Sequence, residues 1–447
     1  MYLLLSLSLL IFLATADIPA ACFVEHSFGP WELVLSKPQL SPVEKCTSDI
    51  LPYDRLRLIL EEPNVAHLGT QKGTWTLVYN QGIGIEVAQM SFFFFFDYEQ
   101  KDNEVTSFCD RSGRVHGGWY HNLKTNEYGC IHAIRKSYVP PLPWEVRNIP
   151  FIDNSLDQTP FSYSVNPSSN ADHVTLNGPK KLRFYKQVDP MNMFYNDQSH
   201  PNGLPVEFNW LDHEGIVPEV RNQQHCGSCY AFGHTAAMMA RIRIKSDGKK
   251  SPILSTQHVV SCGAYTQGCE GGFGYTVSRF AFETGIVEEE HFPYVARDDP
   301  CDDVSEFKHW KVKSYGIVGN YYGNTSEEAM MRELVENGPF AVSFTVPTTS
   351  EGKKHPSFDH YKSGVYMFNE TPIGRHGIAY VETNHVVAIV GYGVENGLKY
   401  WLVQNSWGET WGAQGYFKIV RGIDNLGIES LAGSNGSYCL NSCGKSV

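Results

Sequence analysis

The sequence predicts an α+β fold in two unequal parts, a strand-rich amino-terminal domain and a larger mixed domain. Three observations lead there. Short strand-like segments separated by turn residues fill the chain up to Lys136. A stretch of turn and loop chemistry with no amphipathic period follows, from Val139 to about Gly203. Beyond Leu204, one strong helical pattern is followed by several strand-like runs.

The elements follow in chain order. Leu3 to Leu13 is an apolar run too short to span a bilayer, and Ala14-Thr15-Ala16 has the small-x-small form of a cleavage site. Residues 1–16 therefore read as a secretory signal peptide. Residues 17–136 form the β domain, with strand-like segments at Thr74–Val78, Gly84–Ala88, Phe92–Tyr98 and Glu104–Phe108. Five consecutive phenylalanines from Phe92 suit a buried strand. Residues 137–203, with Pro140-Pro141-Leu142-Pro143 and His200-Pro201-Asn202-Gly203, read as a linker or removable segment. In residues 204–447 the clearest helix runs from Cys229 to Lys245. Ser228 is placed to cap it, and Phe232, Ala236, Met239 and Arg243 share one face. Strand-like runs come later, at Phe340–Val346, His385–Val390, Tyr400–Val403 and Tyr416–Val420.

Composition narrows the function. The chain has 447 residues, 42% hydrophobic and 19% charged, with net charge -12, enough to bury a sizeable core. Nucleic-acid binding is excluded as an expectation, since basic pairs such as Lys249-Lys250 and Lys353-Lys354 stand isolated. No later stretch is long and apolar enough for a membrane-spanning helix. Eleven cysteines suit an oxidising compartment and leave one thiol over. Sequons at Asn324, Asn369 and Asn435 are glycosylation candidates on a secretory route.

Four motifs carry the chemistry. Gln223-Gln224-His225-Cys226-Gly227-Ser228-Cys229-Tyr230 places Cys229 at a helix start, where the partial positive charge favours a thiolate. Asn384-His385-Val386-Val387 puts a histidine at the head of an apolar strand, and Gln404-Asn405-Ser406-Trp407-Gly408 puts an amide in a turn after another. Cys269-Glu270-Gly271-Gly272-Phe273 is glycine-rich, open to close approach by an extended backbone. Alone, each is ordinary: C-G-S-C is also a redox pair, a disulfide half or half a zinc site, and a strand-start histidine is usually a core residue. Their order points instead to a cysteine nucleophile with a histidine base.

These segments resemble the papain family of cysteine peptidases. The resemblance implies a two-lobed catalytic domain, with a helical lobe and a β-barrel lobe, and the roles of nucleophile for Cys229, general base and acid for His385, ring orientation for Asn405 and a shield for Trp407. Gln223 would supply an oxyanion-hole amide with the Cys229 backbone N–H. Both downstream partners lie farther from the cysteine than the handful of spacings of about 130–150 residues typical of the family, and an insertion at Pro347–Pro356 accounts for this.

The amino-terminal part resembles the exclusion domain of the cathepsin C branch, an antiparallel β-barrel, with Tyr79-Asn80-Gln81-Gly82 as the sharpest local match. That resemblance implies a dipeptidyl exopeptidase made as a zymogen. Asp17, exposed by signal removal, would bind the free ammonium of peptide and protein substrates. Gly271 and Gly272 would pair with the substrate backbone, and Phe273 and Leu431 would line the second-residue pocket. An activating protease would cut near Leu204 and Arg375, giving a heavy chain to about 375 and a light chain from about 376. Disulfides are implied for Cys22–Cys109, Cys46–Cys130, Cys226–Cys269 and Cys262–Cys301, with His291 replacing a further family cysteine and Cys439 and Cys443 unassigned. No cofactor or metal is implied for the reaction. Ile317 stands where the branch has a chloride-binding tyrosine, and Gly274 where it has a proline, which argues against chloride dependence. The resemblance implies a lysosome, an equivalent acidic vesicle or secretion, and a homo-oligomer is compatible with it. Two alternatives stay open: an endopeptidase with an unusual propeptide, and a catalytically silent binding protein on this fold.

Overall fold

The computed structural model describes residues 24–136 except 44, 102 and 103, residues 203–435 except 323, 349–353 and 369–382, and residues 20, 22, 145, 146, 174, 175, 193 and 195. Asp17, Asn369, Arg375, Cys439 and Cys443 lie outside these residues, as do the signal segment and nearly all of residues 137–203.

Among the described residues ten strands build the first domain: β1 Gly29–Leu35, β2 Asp54–Glu61, β3 Val65–Leu68, β4 Gln71–Val78, β5 Gly82–Val87, β6 Met90–Phe95, β7 Asp97–Lys101, β8 Glu104–Phe108, β9 Gly118–Asn122 and β10 Glu127–Arg135. Eight close an antiparallel barrel in the order β1-β10-β9-β6-β5-β4-β3-β2, and β7 and β8 form a separate hairpin. The expected strand Phe92–Tyr98 is therefore broken at Phe96, where the chain leaves the barrel for the hairpin.

The phenylalanine run has a two-sided explanation. Side chains alternate across a strand. Phe94 and Phe96 meet Trp31 inside the barrel, with ring centroids 5.2 and 6.5 Å away. Phe93 and Phe95 face outward and meet Tyr265 at 6.1 Å and Phe273 at 5.8 Å, both from the second domain. Barrel and helical lobe share one continuous hydrophobic core.

Between the domains β11 Glu145–Val146 pairs with β12 Val174–Thr175. The second domain contains β13 Phe208–Asn209, α1 Cys229–Lys245, α2 Thr256–Cys262, α3 Gly274–Glu283, β14 Tyr315–Ile317, α4 Glu327–Asn337, β15 Phe340–Phe344, α5 Pro356–Asp359, β16 Val365–Tyr366, β17 His385–Glu395, β18 Leu398–Gln404, β19 Tyr416–Val420 and β20 Leu431–Asn435. Helices α1 to α3 make one lobe. The other is a sheet in the order β14-β20-β15-β17-β18-β19-β16 with its own apolar core.

Two local expectations are corrected. Helix α1 is buried on nearly every side rather than on one face, because β15 and β17 pack on it along with α2 and α3. Ser228 holds the cap position but makes no capping hydrogen bond; its Oγ meets the Tyr294 hydroxyl at 2.7 Å instead.

Candidate active site

Cys229 is the first residue of α1, where the backbone amides lack helical partners. The segment before it is pinned from three sides. Cys226 is disulfide-bonded to Cys269, and Gly227 N–H donates to the Cys269 carbonyl at 2.8 Å. The Tyr294 hydroxyl donates to the Gln223 carbonyl at 2.7 Å. Gly233 lets α1 lie close against β17, since a Cβ there would sit 3.0 Å from Val386. That approach brings the start of the helix to the same cleft as His385, the first residue of β17. The cleft has a volume of about 730 Å³.

The His385 Nε2–H donates to Asn405 Oδ1 at 2.8 Å, which leaves Nδ1 as the other ring nitrogen. Asn405 Oδ1 also accepts from the Ser406 N–H at 2.8 Å, so the amide is fixed. Trp407 covers the histidine ring at a centroid distance of 5.0 Å. Burial pushes His385 down to about 4; the Asn405 bond opposes this and the Lys354 charge adds to it. An imidazolium here needs an anionic neighbour, and a thiolate at Cys229 is the natural one.

Gln223 is buried at the cleft. Its Oε1 accepts from the Ser406 hydroxyl at 2.6 Å and its Nε2 donates one bond to the Cys226 carbonyl at 3.0 Å. A side-chain amide has two N–H donors, so one remains for a substrate oxygen. Gly271, Gly272 and Phe273 form the facing wall. Gly271 has φ 129°, a backbone that only glycine adopts readily, and it turns the chain along the cleft.

Sequence reasoning placed Cys229, His385, Asn405, Gln223, Gly271, Gly272, Phe273 and Trp407, and all but Asn405 line this one cleft, with Asn405 directly behind His385. Leu431 begins β20, beside Ser343 of β15 in register. Asn324 is exposed, and its side-chain amide donates to the Gly319 carbonyl at 2.7 Å. Cysteines 22–109, 46–130, 226–269 and 262–301 are joined in disulfides, and Cys229 lies outside these bonds. Among the described residues one Cys/His cluster has metal-binding geometry, Cys22, His26 and Cys109, but its two sulfurs are bonded to each other.

Among the cleft residues that went unread as such in the sequence, Tyr79 and Lys354 make the most telling contacts. Tyr79 was noted only as part of a motif. It reaches from the barrel into the cleft, meets Phe273 at 4.9 Å and bonds the Ser343 hydroxyl on β15, so it touches both lobes. Its positive φ of 53° marks the turn that makes this possible. Lys354 lies across the Trp407 ring, its Nζ 3.7 Å from the centroid.

A buried cysteine at a helix start, sharing a cleft with a histidine held by an asparagine amide, defines a cysteine peptidase of the papain type. The comparisons agree. Residues 204–435 match the family described as papain family cysteine protease, and residues 17–135 match the cathepsin C exclusion domain. A protein named cathepsin C from Schistosoma mansoni is 30% identical over 93% of this chain and 94% of its own length. Dipeptidyl aminopeptidase 1 of Plasmodium falciparum is 31% identical over 51% of this chain and 44% of its own. Cathepsin B-like CP2 of Giardia intestinalis is 35% identical over 51% of this chain and 73% of its own. The chain belongs to the papain family of cysteine proteases, in the cathepsin C branch that carries the exclusion domain.

Proposed function

We propose that this cysteine peptidase releases dipeptides from the free amino termini of peptides and proteins. The observation that carries the reading is Tyr79. Through it the barrel meets Phe273 on one lobe and Ser343 on the other, which supports a cleft walled at one end by the barrel. A substrate entering from that end has room for only a short amino-terminal piece.

Asp17 is the proposed ammonium anchor. The amide of Cys22 donates to the Asn80 carbonyl at 2.7 Å, next to Tyr79. Five residues span at most about 17 Å, a reach compatible with the proposed role of Asp17 at that end. An ammonium withdrawn from water needs such a carboxylate. The protein names of two relatives, cathepsin C and dipeptidyl aminopeptidase, are consistent with this reading.

In the reaction the Cys229 thiolate attacks the second carbonyl of the substrate. A C–S bond forms while the oxygen takes negative charge near the Gln223 amide and the Cys229 N–H. The C–N bond then breaks and His385 gives its proton to the leaving amine. Water, deprotonated by His385, cleaves the thioester and frees the dipeptide. Chloride is taken as dispensable, because Ile317 has no donor and the phenol two residues back, Tyr315, is engaged with Tyr275 and Glu86. Signal removal, two-site zymogen cleavage, glycosylation and delivery to an acidic vesicle or secretion belong to the same reading.

A dipeptide amide reporter with a free amine should be cleaved, and its acetylated twin should not. Equal rates on the two would sink the exopeptidase reading.

A further inference from the structure

We infer that Lys354 selects substrates with an acidic side chain immediately after the bond that is cut. The inference rests on the proposed function only for which bond that is.

The cleft has a direction. Tyr79, Gly271, Gly272 and Phe273 line it together, and the proposed function makes theirs the amino-side end. His385 hands a proton to the leaving amine, so the leaving chain departs on the histidine side. Trp407 covers His385 there, with centroids 5.0 Å apart, and the Lys354 Nζ lies 3.7 Å from the Trp407 centroid. The ammonium thus stands two rings out from the reacting atoms, within reach of a side chain on the first leaving residue.

The charge balance at this end favours an anion. Lys354 is the one lysine or arginine among the described residues that line the cleft. Asp359 of α5 is the one lining carboxylate, at 3.9 Å from the ammonium, a long contact between two part-exposed groups. His385, whose charge is matched by the Cys229 sulfur in the reaction, and His225 are the histidines of the lining. The Trp407 face fixes the cation without neutralising it, because a ring quadrupole attracts a cation and carries no net charge. A substrate carboxylate can therefore approach Lys354 from the open side while Asp359 stays behind it.

The test uses the mature enzyme and four peptides, Ala-Ala-Glu-Ala-Ala-amide, its Gln twin, and the acetylated form of each. Products are identified by mass and rates compared as kcat/KM at low and high salt. The Glu peptide should be favoured over the Gln peptide by about two- to fivefold at low ionic strength, the range of a part-exposed ion pair. Near 1 M salt, where the screening length is about 3 Å, the preference should vanish. Lys354→Gln should bring the ratio to about one by slowing the Glu peptide more than the Gln peptide, Lys354→Arg should keep the preference, and Lys354→Glu should reverse it. A ratio near one in the parent enzyme would overturn the inference. So would Lys354→Gln slowing both peptides equally, since that is what loss of packing on Trp407 alone would do. Failure of the exopeptidase reading shows separately, as cleavage of the acetylated peptides, and leaves the Glu-to-Gln ratio legible.

Discussion

Gln223 is held at both ends of its amide, by Ser406 on Oε1 and by the Cys226 carbonyl on Nε2. This matters because an oxyanion donor helps only if it is already aimed when charge develops. Gln223→Ala should lower kcat by about 10²–10³ with little change in KM. The check is steady-state kinetics alongside labelling of Cys229 by an epoxide; a variant labelled normally yet unaffected in kcat would show that the amide is not the donor. The convergence of Cys229, His385, Asn405 and Gln223 on one cleft was legible because the chemistry expected of them demands particular residue types next to particular local structures. Tyr79 and Lys354 were not. Their importance comes from where distant segments fold, and nothing in their own neighbourhoods says that one crosses between lobes and the other lies on Trp407.

At the scale of elements, α1 was read correctly in extent and wrongly in face. A helix enclosed by two strands and two other helices loses the one-sided pattern on which such readings depend. The short helices α2 and α4 escaped notice although each has a serine cap, Ser255 to the His258 amide at 2.9 Å and Ser326 to the Ala329 amide at 3.2 Å. Helix α2, at 7 residues, is too short for a period to stand out, whereas α4, at 11 residues with Met330, Met331 and Leu334 buried, carries a one-sided pattern that the reading overlooked. This lobe also stores neutral histidines. Burial pushes His234 of α1 down to about 4, and burial together with His309 pushes His258 of α2 to about 3. The unfolded chain takes up protons near 6.5, before the native state does, so stability is fully present above about 6.5 and falls as pH drops towards 4. Urea midpoints should decline across this window, and His258→Gln should make the decline shallower. A midpoint that rises from pH 6.5 to 4 would contradict the assignment.

For the molecule as a whole, the question is what binds barrel to peptidase domain. Much of it is aromatic, as Phe93, Phe95 and Trp119 meet Tyr265 and Phe273. At its centre sits a buried ionic cluster. Glu283 of α3 bonds Arg279 at 2.9 Å, accepts from the Tyr265 hydroxyl, and faces Nδ1 of His121 on β9 at 3.5 Å. Burial works against the Glu283 charge, but Arg279, with His121 and Tyr265, holds its carboxyl below the usual range. By linkage the contribution of this carboxylate is present above the unfolded value near 4.5 and fades as pH falls through the lower native one. A buried pair is worth little against well-packed apolar residues, yet breaking one partner strands the other charge. Glu283→Gln should therefore destabilise the chain by about 3–5 kcal/mol, while Glu283→Gln with Arg279→Met should recover most of that loss. Because His121 belongs to the barrel, the single variant should also let the barrel separate more readily from the peptidase domain once the segment joining them is cut with an added protease. Chemical unfolding gives the first quantity and size-exclusion chromatography of the cleaved enzyme the second. Separation would take Tyr79 out of the cleft, and the variant should then begin to cut the acetylated peptides that the proposed function expects the parent enzyme to refuse. If it is destabilised as expected and still refuses them with the barrel detached, the barrel is not what confines this enzyme to amino termini.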